Sequence, residues 1–306
     1  MPLTKAQLYI HRLFDKTYYM RLLPFAVLFA LSAVFYSCNR NEKEPSFLNV
    51  DNLVLSALPA EGTSSENITE IWTYEGGTTI VGVSDLPATI PVLKEGTTEI
   101  RMYAGIKNNG ISSTRIVYPF YSPFDTVVQL AELSEHTIKP HFKYLPDLDI
   151  DVIDFESGVN PFFSYGINSG SFGFSNTEVA FEGDGSGYGL LEPDQNVLLY
   201  RTENHYEWEV GKTVFLEMNY SCNNTFSVGL YAINDATQKK NFALILNPTR
   251  EGTGEPAWKK IYIDLGFVIT ENPTAEFFEL YFESVHDESG NTVEIFLDNL
   301  KLVRFE

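Results

Sequence analysis

The sequence predicts an all-β fold, with two β-sandwiches in series behind an N-terminal signal helix. Three observations carry this. Beyond Ser46 the apolar residues recur with a period of two, and turn residues interrupt them every few positions. No stretch of 12 or more residues carries a convincing 3.6-residue period. Near the N-terminus, Leu22 to Tyr36 forms an apolar run of 15 residues behind Arg21. That is short of the about 20 residues a membrane-spanning helix needs, but it suits the apolar region of a secretory signal.

Composition sets the outer bounds. The chain has 306 residues, 44 % hydrophobic and 20 % charged, which is a globular balance with room for about two domains of roughly 100–150 residues. Asp and Glu number 41 against 21 Lys and Arg, for a net charge of −20. Such an excess of carboxylates argues against nucleic acid as a partner, because a phosphate backbone calls for Lys and Arg. Residues 1–37 hold four of the basic residues and one acidic residue, so the rest of the chain carries a net −23. The two cysteines, Cys38 and Cys222, are too few for a disulfide scaffold or a Cys-rich zinc module.

The apolar run ends in Phe35-Tyr36-Ser37-Cys38. This resembles the lipobox of bacterial lipoproteins, in its relaxed form those of Bacteroidota, although Tyr36 is large for its position. The resemblance implies a diacylglycerol on Cys38, cleavage before it, and a tether over 38–48. The other reading is an ordinary signal peptide with an incidental cysteine. Met20 opens a complete signal by itself, so translation starts either at Met1 or at Met20. Asn39 stands where Asp would resemble an inner-membrane retention mark, which implies the outer membrane. Glu42 and Glu44 faintly resemble surface-export tags, diluted by Arg40 and Lys43, so periplasmic face and cell surface both stay open.

From Asn49 to Pro146 the alternation places strands at 68–74, 78–84, 88–93, 98–106, 113–120 and 125–131. Turns fall at Glu75-Gly76-Gly77, Lys94-Glu95-Gly96 and Lys107-Asn108-Asn109-Gly110. Six or seven strands in about 100 residues fit an immunoglobulin-like sandwich. Gly76-Gly77, Leu86-Pro87, Ile90-Pro91 and Glu95-Gly96 also resemble the PEGA family, which implies an adhesive or spacer module without catalysis. Asp125-Thr126-Val127 is similar to the O-glycosylation site of exported Bacteroidota proteins and equally fits a plain strand start.

Pro146 stops one pattern, and Leu148, Ile150 and Val152 begin another that runs to the C-terminus (147–306). Strands are expected at 178–182, 196–202, 213–219, 225–232, 241–246, 258–265 and 276–284, closing with Val293 to Val303. The opening Asp154-Phe155-Glu156-Ser157-Gly158 and the closing Ile295-Phe296-Leu297-Asp298-Asn299-Leu300 resemble the two ends of the galactose-binding-like jelly roll found in carbohydrate-binding modules. The resemblance implies a fold whose first and last strands lie side by side. It also implies a structural calcium on Asp154, Glu156 and Asp298, since Ca²⁺ takes six to eight oxygens. Otherwise Asp298 and Asn299 make polar contacts at a strand edge.

Tyr206, Trp208 and Trp258 are the candidates for a sugar-stacking surface, because an aromatic face suits the C–H face of a pyranose. Against this, Tyr206 and Trp208 alternate with Glu207 and Glu209 as in a half-buried strand, and Trp258 directly precedes an alternating strand. No catalytic constellation emerges. His136 and His141 lack metal-pair spacing, Gly-x-Ser-x-Gly and Walker loops are absent, and the glycine-rich Gly183 to Gly189 fits a loop between strands. Cys222 is a lone thiol of the kind usually buried. The expected function is therefore that of a non-enzymatic, lipid-anchored outer-membrane protein that binds an envelope protein as an accessory subunit. The alternative is a glycan-binding lipoprotein of a polysaccharide-uptake system, and the third reading is a glycoside hydrolase.

Overall fold

The first ladder begins at Ser46, where the alternation begins and three residues before the expected start of the first sandwich at Asn49. The structure, a computed structural model, describes residues 43–167, 169–175, 179–286 and 290–306. The signal segment and Cys38 lie outside the described residues. Pro45–Glu306 forms one compact unit.

The first half is an immunoglobulin-like sandwich. Its strands are β1 (Ser46–Val50), β2 (Val54–Ser56), β3 (Glu70–Glu75), β4 (Thr79–Asp85), β5 (Ala88–Val92), β6 (Gly96–Lys107), β7 (Arg115–Val117), β8 (Phe124–Leu130), β9 (Glu135–Thr137) and β10 (His141–Lys143). One sheet runs β4-β3-β6, with β7 and β8 both along the far side of β6. The facing sheet is β5-β1-β9, and a short parallel ladder joins β10 to β2. Period-two burial drives the pairing: Ile100, Met102 and Ala104 of β6 point inward against Leu48, Val50, Ile90 and Val92. The three-residue strands β2, β9 and β10 went unread because two or three positions cannot display a period.

The second half is a jelly roll. It comprises β11 (Leu148–Ile153), β12 (Phe162–Ser164), β13 (Ser171–Phe174), β14 (Gly187–Leu191), β15 (Val197–Thr202), β16 (Val214–Cys222), β17 (Phe226–Asn234), β18 (Thr237–Leu246), β19 (Lys259–Asp264), β20 (Phe277–Val285) and β21 (Val293–Phe305). One sheet is β13-β14-β21-β16-β19, with β11 also paired to β21; the other is β12-β15-β20-β17-β18. A core of Leu216, Met218, Leu230, Leu280, Leu297 and their neighbours fills the space between them. Strands β11 and β21 run antiparallel from Leu148↔Phe305 to Ile153↔Leu300, so the two ends of this half meet, the arrangement the jelly-roll resemblance implies.

Two expectations change. The strand expected at 178–182 is not one: residues 179–182 form a turn and loop. The N–H groups of Phe181 and Glu182 go to the Asp298 carboxylate and not to a ladder (3.2 and 3.5 Å). The glycine-rich segment is only half a loop, because Gly187 to Leu191 is β14. Its glycines let rings lie flat on the strand: a Cβ at Gly187 would stand 2.7 Å from both Phe155 and Phe172.

The two sandwiches share a polar junction on the outer face of β16, β19 and β21. Glu217 is wholly buried there. Tyr118 Oη donates to its Oε1 at 2.7 Å, and Tyr144 Oη donates to the same carboxylate at 2.9 Å. Lys260 Nζ lies 3.1 Å from Oε2. Lys301 Nζ donates to the Thr63 carbonyl and to Tyr144 Oη. Phe215, Tyr262 and Val303 of the jelly roll belong to the apolar core of the first sandwich. A bulge sets this up. Glu217 faces Lys301 while Asn219 faces Asp298, so β21 holds one extra residue, and Asn299 there adopts φ 52°. The turn at 107–110 then caps the free edge of β19, with Asn109 N donating to the Tyr262 carbonyl (3.0 Å) and Asn109 Oδ1 accepting from Asp264 N (2.9 Å).

Removing one partner of a buried ion pair leaves the other charge stranded, so Glu217→Ala should lower the unfolding free energy by about 3–5 kcal/mol in urea titrations. Both halves should unfold with one midpoint, because the junction belongs to both. Junction groups also set a pH profile. Burial lowers Lys301 to about 8 and pushes Tyr118, Tyr121, Tyr144 and Tyr262 up from the ordinary 10.0. Between pH 8 and 10 the unfolded chain holds the extra proton on Lys301, so stability rises with pH. Above 10 the tyrosines ionise only in the unfolded chain, so it falls. Urea midpoints against pH should show this maximum, and Lys301→Met should remove its rising limb.

Candidate functional site

A groove of about 610 Å³ opens where the sandwiches meet. The first sandwich contributes Ser65, Glu66, Asn67 and Lys107. The jelly roll contributes Phe181, Asn219 and Trp258 to Tyr262, among others. The loop before β3 is pinned in place by the jelly roll: Asn67 N donates to Tyr262 Oη (3.1 Å) and Asn67 Nδ2 to the Lys260 carbonyl (3.0 Å). Asn219 Nδ2 donates to Ser65 Oγ at 3.0 Å, which leaves Asn219 Oδ1 buried without a hydrogen-bond partner. Glu66 Oε2 accepts from Ile68 N, and burial raises its carboxyl pKa.

Trp258 is half-buried on this groove, packed edge-on against Phe181 (5.7 Å between centroids) and near Phe296 (6.1 Å). Of the three aromatic candidates it is the one that keeps surface free. Tyr206 and Trp208 are each 8 % exposed and belong to the jelly-roll core. Their rings stack at 4.9 Å with 14° between planes, and Trp208 stacks again on Phe278. They line a second cleft of about 460 Å³ with Asp149, Asp151, Asn204 and Arg304, but offer it no open ring face. A further aromatic group lies on the outer face of the β12-β15-β20-β17-β18 sheet. There the Arg201 guanidinium sits 4.0 Å from the ring centroids of both Tyr165 and Tyr231 and pairs with Glu279, so those rings are spent on a buried cation.

Of the three residues expected to hold calcium, Asp298 and Glu156 act on the loop 181–184 and Asp154 on its own turn. Asp298 Oδ2 accepts from Phe181 N and Glu182 N, and its Oδ1 from Asn299 N. Glu156 accepts from Asp184 N at 2.8 Å, and Asp154 Oδ1 accepts from Glu156 N, closing the Asp-Phe-Glu turn. Backbone N–H groups thus point at the oxygens a cation would need. Among the described residues no group of three His, Cys, Asp or Glu side chains is arranged to hold a metal. The residues present do not fit the ion. Burial nevertheless raises Asp298 to about 7.

Other candidates have plain structural surroundings. His136 and His141 hydrogen-bond Ser134 and Ser56. Cys222 is buried, its thiol pushed up to about 11. Asp125 pairs with Arg101. Sequence reasoning missed Glu66, Lys107, Asn219, Lys259 and Lys260 as site residues. The available signal was the adjacent pair Lys259-Lys260 beside a tryptophan in so acidic a chain.

No protein-family model matches the chain, and no curated protein does either. Among solved structures it is similar to a mutant family 29 carbohydrate-binding module complexed with mannohexaose (14 % identity, 52 % of this chain and 93 % of that one, TM-score 0.33). It is similar also to TmCBM61 in complex with β-1,4-galactotriose (14 %, 49 % and 94 %, TM-score 0.33). A third is the CBM22-1 xylan-binding domain from Paenibacillus barcinonensis Xyn10C (13 %, 52 % and 96 %, TM-score 0.36). Scores this low carry no argument about this chain.

The two tryptophans should separate in stability. Trp208→Ala empties a packed core site and should cost about 3–5 kcal/mol. Trp258→Ala, at a half-open position, should cost on the order of 1 kcal/mol. Chemical denaturation of the two variants checks the difference.

Proposed function

We propose that this chain is a non-enzymatic glycan-binding protein that takes a sugar chain into the junction groove, and that lipid on Cys38 holds it to the outer membrane. The observation that carries the glycan reading is Trp258: a half-open indole in a groove that also presents amide, hydroxyl and charged groups (Asn67, Asn219, Ser65, Glu66, Lys259). Apolar ring surface for the C–H face of a pyranose, with hydrogen-bonding groups around it for the hydroxyls, is the chemistry a sugar site requires. Because both sandwiches line the groove, the ligand would bridge them. Glu66 is the one carboxylate among its described lining residues. Hydrolysis of a glycosidic bond ordinarily uses two, which supports binding over catalysis. The membrane part of the proposal rests on the lipobox-like Ser37-Cys38 alone.

Affinity electrophoresis of the full chain through gels containing single polysaccharides tests the glycan reading. At least one gel should retard the protein, and Trp258→Ala should weaken that retention at least tenfold while Trp72→Ala, outside the groove, leaves it unchanged. Retention that survives Trp258→Ala would move the site elsewhere. For the anchor, labelled fatty acid should enter the wild type and not Cys38→Ala.

A further inference from the structure

The groove has the opposite charge to the chain that forms it. The protein carries net −20, yet the groove is lined by three cations, Lys107, Lys259 and Lys260, and by the single carboxylate of Glu66. Lys259 is exposed and Lys107 half-exposed, so both ammonium groups are free to meet a ligand. Lys260 is different. It is 7 % exposed, and its Nζ makes no hydrogen bond. Its ion-pair partner is Glu217 at 3.1 Å, a carboxylate already accepting from Tyr118 and Tyr144, and Glu66 also lies within its field. The same carboxylate also compensates Lys301 behind it. Glu217 thus faces two buried ammonium groups at once, with Glu66 acting on Lys260 and Glu61 and Glu182 acting on Lys301 from further off. In the same groove the buried Asn219 Oδ1 also lacks a hydrogen-bond partner. Buried polar atoms without a hydrogen bond cost free energy, and two of them lining one groove, the ion-paired Lys260 Nζ and Asn219 Oδ1, mark a place where a bound polar group completes the hydrogen bonding.

Resting on the glycan reading of the same groove, we propose that its ligand is an anionic sugar chain, with an acidic substituent set against the lysines of the groove while the adjoining ring packs on Trp258. The substituent is a carboxylate or a sulfate ester; either offers the oxygens that ammonium donors take, and Asn219 Oδ1 would accept from a neighbouring hydroxyl. Neutral glycans would leave the lysines without the anion they are placed to meet.

Isothermal titration of the full chain with three oligosaccharide classes of matched length tests this: a polyuronate, a sulfated glycan and a neutral β-1,4-linked glycan. An acidic class should bind at least tenfold tighter than the neutral one, and raising salt from 50 to 300 mM should weaken only the acidic binding. Whichever of the two acidic classes binds tighter identifies the substituent. Lys259→Gln and Lys107→Gln, both on exposed or half-exposed side chains, should each reduce acidic affinity several-fold with unchanged melting temperature. Neutral binding as tight as acidic binding, or acidic binding indifferent to Lys259→Gln and Lys107→Gln, would overturn the charge proposal and leave the glycan reading standing. Failure of all three classes to bind would overturn both.

Discussion

A carboxylate stripped of water is the constraint around which this molecule is arranged. Burying Glu217 costs several kcal/mol of lost hydration, and that cost has to be met by groups already held in place. Four of them come from separated parts of the chain. Tyr118 leaves the end of β7, Tyr144 follows β10, Lys260 sits on β19 and Lys301 on β21. The first two belong to the immunoglobulin-like sandwich and the last two to the jelly roll. Pulling the halves apart would strip Glu217 of both its hydroxyl donors. It would also expose Phe215, Tyr262 and Val303, which complete the apolar core of the first sandwich. The linker between the halves is short, but it is this cluster that makes them one body.

A fixed junction gives the groove two walls of constant spacing. Asn67 and Ser65 hang from the first sandwich yet are tied by hydrogen bonds to Tyr262, Lys260 and Asn219 of the second. The turn at 107–110 presses against the same edge strand, close enough that a Cβ on Gly110 would stand 3.1 Å from Ile261. On the far side, Asp298 and Glu156 hold the loop that carries Phe181 against Trp258. Each wall is thus positioned by backbone hydrogen bonds, so a ligand meets preorganised surfaces and loses little binding free energy to ordering them.

Much of the fold was legible in the sequence, and what escaped has physical reasons. Long strands such as 98–106 and 213–219 announce themselves because a period of two needs several turns of the pattern to be seen. The jelly-roll ends were found through the Asp154–Gly158 turn and the Asp298-Asn299 pair, and the first and last strands do run side by side. The chemistry of the same residues is less legible: carboxylates aimed at a cation and carboxylates capping backbone N–H groups are written with the same letters. Strand β14 hid behind glycines, since its lack of side chains answers to Phe155 and Phe172, which are distant in sequence. Trp208 and Trp258 carry equal weight as letters, yet one is sealed between rings and the other opens onto the groove. Nothing in the linear sequence states that Lys107 comes to line the same groove as Lys259, because a non-local arrangement has no local signature.

The lysines of the groove also bear on how a ligand would reach it. At a distance an acidic protein repels a polyanion, so long-range steering works against encounter. At physiological ionic strength, however, charges more than about 8 Å apart are largely screened. Carboxylates spread over the rest of the surface are then hidden from a chain that has reached the groove, while Lys107 and Lys259 act within that distance. Charge would therefore contribute little to the rate of association and much to the lifetime of the complex, through direct ammonium contacts inside a partly dry groove. That division would suit the lipid-tethered protein proposed above. Most of its surface would stay unattached to charged polymers around it, and attraction would act in the groove, where ring surface, exposed ammonium groups and buried polar atoms without hydrogen bonds coincide.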